Sequence, residues 1–274
     1  MKGSLLFQFT SADIDFLISS ARPEMSDRYR FRQLLMEDER FRDFTLSEER
    51  IFRNLISKEE NFVRISPRLY FEILLRHVKK ELETAGHTIE AAGTHRVAVF
   101  DIGEVRNLLS GEDVLLYLAD MLNSFTRISS YIISYRVKSG IRRKIRFNDM
   151  DLDNLIGMYE YADDEDRFGF LKRIADICLF LPAMFPEYVG YSYRYPHSGQ
   201  LRPSVPGVFR KDAEEYEEIG KNFYRLAAEH PFSEGLERVL LLLHDGFRAA
   251  QKPINYLSQR YLSYNRQELF KLGA

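Results

Sequence analysis

From Leu236 to Tyr264 a large or apolar residue recurs alternately four and three positions apart: Leu236, Leu240, Leu243, Phe247, Ala250, Ile254, Leu257, Tyr261, Tyr264. A step of about 3.5 residues approximates the 3.6 of a helical turn, so the series lies on one stripe of a helix. The same alternation runs through Val114, Leu118, Met121, Phe125, Ile128, Ile132 and Tyr135, and more briefly through Phe170, Ile174, Ile177, Leu181 and Met184. Three such seams need apolar partners, and the simplest partners are one another. The expected fold is therefore mainly α, a multi-helix bundle of about nine or ten helices.

Capping residues mark where the helices start and stop. Ser11 opens one that runs to Ser20, Arg22-Pro23 breaks it, and a second follows from Asp27 to Glu37. Ser47 with Glu48 and Glu49 reads as an N-cap with acids in the first turn. Ser66-Pro67 places a cap before a proline at the first helical position, with Gly86 past the far end. Further helices are expected at 101–109, 112–136, 151–161, 166–185 and 212–229, followed by the stripe beginning at Leu236. Pro182 and Pro253 each remove a helical hydrogen bond, and an interior proline costs ~3 kcal/mol. A kink or early end is expected at the first. One kinked helix is expected at the second, because the stripe keeps phase across it.

Two stretches lack the helical period. Residues 94–100 are rich in β-branched side chains after Gly93. Residues 141–147 alternate Ile141, Arg143, Ile145 and Phe147 with Arg142, Lys144 and Arg146. Pairing of the two would give a small β-ribbon on the side of the bundle. The segment 187–211 has no periodicity and holds several prolines and glycines, so it is expected to be the one long loop. The chain is expected to form a single helical domain, with 148 as the place for a subdivision.

Composition removes several classes. The hydrophobic share of 45% is enough for a sizeable core, and a net charge of −2 gives no global field toward nucleic acid or an anionic membrane. A single cysteine, Cys178, in the apolar run 177–181, rules out an intrachain disulfide and reads as an inert buried thiol. No apolar run approaches the ~18 residues of a membrane span. A cytoplasmic chain with no membrane partner is the expectation.

No catalytic, metal or cofactor signature emerges. His244-Asp245 matches the central pair of the metal-dependent HD phosphohydrolases, with His77 as a candidate earlier ligand, but 246–274 contains no aspartate to complete the set. Glu-x-x-His, His-Glu-x-x-His, Gly-x-Ser-x-Gly and the glycine-rich phosphate loops are absent. Two features remain. One is the aromatic and cationic run Tyr191, Tyr193, Arg194, Tyr195, residue types enriched at binding hot spots. The other is the basic stretch 136–146, in which Arg142, Lys144 and Arg146 would share a strand face able to grip an anion.

The leading expectation is an interaction or regulatory protein that works through helix surfaces and the 187–211 loop. Its partner would be a protein, with a homodimer contact through the tyrosine-rich end of the last helix as a further option. Nucleic-acid or anionic-ligand binding through the basic stretch is the alternative, and a metal-dependent helical enzyme the third.

Overall fold

The computed structural model describes residues 9–21, 27–57, 64–85, 88–92, 95–99, 102–127, 130–138, 141–160, 162–186, 189 and 211–270. Among them the chain is mainly helical. In order come α1 (Ser11–Ala21), α2 (Arg28–Glu37), α3 (Glu39–Leu46), α4 (Glu49–Ser57), α5 (Pro67–Thr84), β1 (Thr88–Ala92), β2 (His95–Val99), α6 (Ile102–Ser110) and α7 (Glu112–Phe125). Then follow β3 (Ser130–Lys138), β4 (Ile141–Asn148), α8 (Leu152–Tyr159), α9 (Asp164–Met184), α10 (Ala213–Glu229), a 3-10 turn (Pro231–Ser233), α11 (Glu237–Asp245), α12 (Phe247–Arg260) and α13 (Arg266–Phe270). No helix among the described residues is long and apolar enough to cross a membrane.

The chain separates into two compact units, one of residues 1–123 with 259–261, the other of 124–258 with 262–274. In unit 1, α1 to α7 bury Leu17, Phe31, Leu35, Ile51, Leu55, Leu69, Ile73, Leu74 and Leu118. In unit 2 the central element is α9. Its residues Ile174, Ala175, Ile177, Cys178, Leu179, Phe180 and Leu181 are all fully buried, so the second half of this helix is apolar nearly all round and is covered on every side. Phe180 stacks on Phe125 with ring centroids 4.1 Å apart and meets Phe185 and Phe270 edge-on. Opposite, Gly220 of α10 allows a close approach: a methyl group there would lie 2.5 Å from the Phe247 ring and 2.9 Å from Cβ of Cys178.

Local chemistry accounts for the helix ends. The Ser66 hydroxyl accepts from the Leu69 amide at 3.2 Å, with Pro67 at the first position. Asp212 and Glu215 complete a reciprocal capping box on α10, both bonds at 2.8 Å. Asp38 closes α2 with its backbone and opens α3 with its side chain, a helix that the sequence pattern does not announce. Pro182 lies in the last turn of α9, which ends two residues later. Side chains from the C-terminal region take up the final carbonyls: Asn255 donates to Ala183 at 3.1 Å, and Ser258 and Arg266 donate to Met184 at 2.6 and 3.0 Å.

Three expectations are corrected. The β-ribbon joining 97–100 to 141–147 is not found. Among the described residues the extended segments pair only with their own chain neighbour, β1 with β2 and β3 with β4, and what stands is the mainly helical architecture. The 114–135 seam is helical only to Phe125, because Tyr131, Ile133 and Tyr135 offer a period of two that competes with the 3.5-residue spacing of Ile128, Ile132 and Tyr135, and pairing with β4 decides for the strand. The last stripe is divided at Gly246 into two helices where one was expected, while Pro253 sits inside the continuous α12 as its unbroken phase implied. Leu240, Leu243, Phe247, Ala250, Ile254 and Leu257 of that stripe are buried as a core face should be.

Candidate functional site

The residues singled out from sequence fall in different places. Tyr191, Tyr193, Arg194 and Tyr195 lie outside the described residues, as does nearly all of 187–211. Arg142, Lys144 and Arg146 are alternate positions of β4, and the antiparallel register sets Arg136, Ser134 and Ile132 opposite them. Directly opposed residues occupy the same face of a ribbon, so Arg136 falls at a register position on the face of those three. His244 and Asp245 are adjacent, with Nδ1 2.8 Å from Oδ1. No group of three or more His, Cys, Asp or Glu residues among those described could hold a metal. Cys178 is buried, and burial pushes its thiol well above the ordinary range.

The densest polar chemistry sits instead along α5, in unit 1. Arg68, Glu72 and Arg76 follow one another at four-residue steps and so share one face of the helix, and all three are buried. Glu72 is shared: Arg68 Nη1 donates to Oε2 at 2.6 Å, and Arg76 Nη2 donates to Oε1 at 2.8 Å. Outward from this centre, Arg68 pairs with Asp120 of α7. Arg76 pairs with Asp43 of α3 and, at 2.7 Å, with Glu112 of α7. Burial by itself lowers the Arg76 pKa, but the carboxylates of Glu72, Glu112 and Asp43 outweigh it, and the net shift is upward. Such a ladder fixes how α3 and α7 meet α5.

One residue on, the chemistry becomes titratable. His77 lies flat on the ring of Phe52 from α4, centroids 3.3 Å apart and planes within 6°. Its Nδ1 is 3.6 Å from Glu49 of α4 and its Nε2 is 3.9 Å from Glu81, one turn along α5. Glu81 also accepts from the Tyr261 hydroxyl at 2.5 Å and pairs with Arg260 at 3.1 Å. The Tyr261 ring stands edge-on to both Phe52 and His77. A histidine, two carboxylates, a phenol and a guanidinium from three separate stretches of chain therefore meet at a half-covered spot.

Part of this was visible beforehand as the His77–Glu81 pair at i, i+4. The rest was not, because Glu49 and Tyr261 are remote in sequence. Among the described residues every buried side-chain polar atom has a hydrogen-bond partner, so neither the ladder nor the histidine cluster contains an orphaned group aimed at an absent ligand. What the cluster offers chemically is proton exchange coupled to packing, since His77 is the one group there whose ordinary pKa lies near neutrality. Comparison of the chain with protein-family models, with curated proteins and with solved structures finds no match.

Proposed function

We propose that this is an interaction protein that acts through its helix surfaces. The observation that supports the reading is the exposure of large apolar side chains on consecutive helices of unit 1: Tyr29 of α2 at 79%, Phe44 of α3 at 63% and Ile56 of α4 at 49%. Each helix already buries a separate apolar set, Phe31 and Leu35, then Leu46, then Ile51, Phe52 and Leu55, so the outward residues are not needed for the core. Aromatic side chains held in water on a rigid helix bring large contact area at little entropic cost on binding. The 187–211 segment, with Tyr193 and Arg194, belongs to the same proposal as a second contact.

The test compares capture from the native source by the wild-type chain with capture by two variants, Tyr29→Ala/Phe44→Ala and Tyr193→Ala/Arg194→Ala. Substitutions at exposed positions leave unfolding within about 0.5 kcal/mol of wild type. Loss of one specific partner by either variant supports the reading. Identical capture by all three chains overturns it.

A second reading is anion binding by the face that carries Arg136, Arg142, Lys144 and Arg146. The β3–β4 register sets Arg136 opposite Arg142, so basic residues occupy neighbouring register positions on the two strands. Titration with duplex and single-stranded nucleic acid across a salt series decides it: affinity that falls steeply with salt supports the reading, and no binding at low salt removes it.

A further inference from the structure

The histidine cluster has features that a purely structural contact does not need. Glu81 takes a phenol and a guanidinium and has the imidazole close by. Its Oε2 takes the Tyr261 hydroxyl at 2.5 Å and lies 3.9 Å from His77 Nε2, while Oε1 pairs with Arg260 at 3.1 Å. Glu49 divides in the same way, Oε1 bonded to Arg53 at 3.0 Å and Oε2 lying 3.6 Å from His77 Nδ1. Lys80, next along α5, donates to the Ser47 carbonyl and adds a further cation to the surroundings of His77. The groups facing the imidazole are thus Glu49 from α4, Glu81 and Lys80 from α5, and Arg260 and Tyr261 from the C-terminal segment. The His77 side chain is only 14% exposed, and one face of its ring is closed by Phe52.

We propose that His77 is a proton-sensitive latch: neutral, it lets Glu81 hold Tyr261, and protonated, it loosens the segment Gln259–Tyr261 from α4 and α5. Two physical consequences of the geometry act together. A charged imidazole pressed against Phe52 loses hydration on that face, which penalises the packed arrangement. Its Nε2–H also competes with the Tyr261 hydroxyl for the same carboxylate oxygen. Lys80 and Arg260 oppose the new charge, while Glu81 and Glu49 favour it.

The sign of the effect follows from the balance. Burial, the largest influence, lowers the His77 pKa from its ordinary 6.5; Glu81 and Glu49 resist, and Lys80 and Arg260 assist. A group whose pKa is depressed in the packed state binds its proton more readily when that packing opens. Packing is therefore fully stable above about pH 6.5 and weakens as pH falls through that value toward the packed-state pKa.

Amide hydrogen exchange on the full chain reads this directly. After correction for the intrinsic pH dependence of exchange, protection of peptides covering 257–265 falls from pH 8 to pH 5 in wild type, the direction that a depressed His77 pKa dictates. In His77→Phe, which keeps the ring stack and cannot titrate, protection there is independent of pH. Protection of α9 is the same in both chains. A flat wild-type profile, or an unchanged pH dependence in His77→Phe, overturns the proposal. Should that variant fail to fold, NMR of histidine-labelled wild type supplies the His77 titration, assigned by replacing the other histidines in turn. A midpoint coincident with the loss of protection supports the latch, and a separate midpoint overturns it.

Discussion

Helices α5 and α9 are the longest of their respective units, and they bury opposite kinds of surface. Around the second half of α9 the contacts are apolar: Leu179, Phe180 and Leu181 are fully enclosed, and the buried carboxylate of Asp176 is met by Lys172 at 2.7 Å and by the Tyr224 hydroxyl at 2.9 Å. Along α5 the ladder of Arg68, Glu72 and Arg76 runs through the protein interior beside Leu69, Ile73 and Leu74. The difference concerns what each helix can specify. Apolar packing is non-directional and tolerates small slips, whereas a shared carboxylate between two guanidiniums is satisfied in only one register. Buried ion pairs add little net stability, because desolvation offsets most of the attraction. The ladder is therefore expected to choose the arrangement of α3, α5 and α7 rather than to stabilise it.

Removing the centre of the ladder should produce the largest effect. Glu72→Ala removes the fully buried carboxylate between Arg68 and Arg76, leaving them only the less enclosed Asp120, Asp43 and Glu112, and is expected to cost about 3–5 kcal/mol, read as a lower midpoint in denaturant unfolding. The triple substitution Arg68→Met, Glu72→Leu, Arg76→Met removes the buried charges together, and its expected cost is within about 1 kcal/mol of zero. If the triple variant loses as much as the single one, the ladder is a source of stability and the contrast with α9 collapses.

The isolated charge of α9 gives a smaller, matching test. Tyr224→Phe deletes one donor to Asp176 while leaving Lys172 in place. The expected loss is about 1.5–3 kcal/mol in the same unfolding measurement, the range for a hydrogen bond to a charged group. A loss below this range would mean that the apolar unit tolerates its lone carboxylate without the tyrosine.

The contrast between the two helices was only half legible in the sequence. The α9 seam could be read because Ile174, Ile177, Leu181 and Met184 carry their burial in their residue type, and Ser66-Pro67 announced its helix through local capping chemistry. The ladder could not. Arg68, Glu72 and Arg76 at four-residue spacing are the ordinary pattern of a solvated helix face, and only the packing of Asp43, Glu112 and Asp120 against them reveals a buried one. Residues 130–138 misled for a different reason: a run of aromatic and β-branched residues fits two periods, and the partner strand decides between them. The histidine cluster depends on Glu49, His77 and Tyr261 meeting across long chain separations, which no local pattern encodes. Tyr261 and Tyr264 belonged to one stripe, yet the first packs on Phe52 and His77 while the second is 96% exposed.

The smallest predicted effect lies at the outer end of the ladder and tests whether burial or charge sets its energetics. Asp43 pairs with the same guanidinium as Glu72, but its side chain is 57% exposed, so water already solvates it and screens the pair. Asp43→Asn leaves Arg76 with Glu72 at 2.8 Å and Glu112 at 2.7 Å, and no buried charge is left alone. The expected loss in denaturant unfolding is under about 1 kcal/mol, diminishing further in high salt. Asp43→Asn takes one exposed carboxylate from Arg76 alone, whereas Glu72→Ala takes the enclosed one that Arg76 shares with Arg68, so the two losses weigh an exposed partner against a buried one. Comparable losses at the two positions would show that the number of partners around Arg76, not the enclosure of Glu72, governs the network.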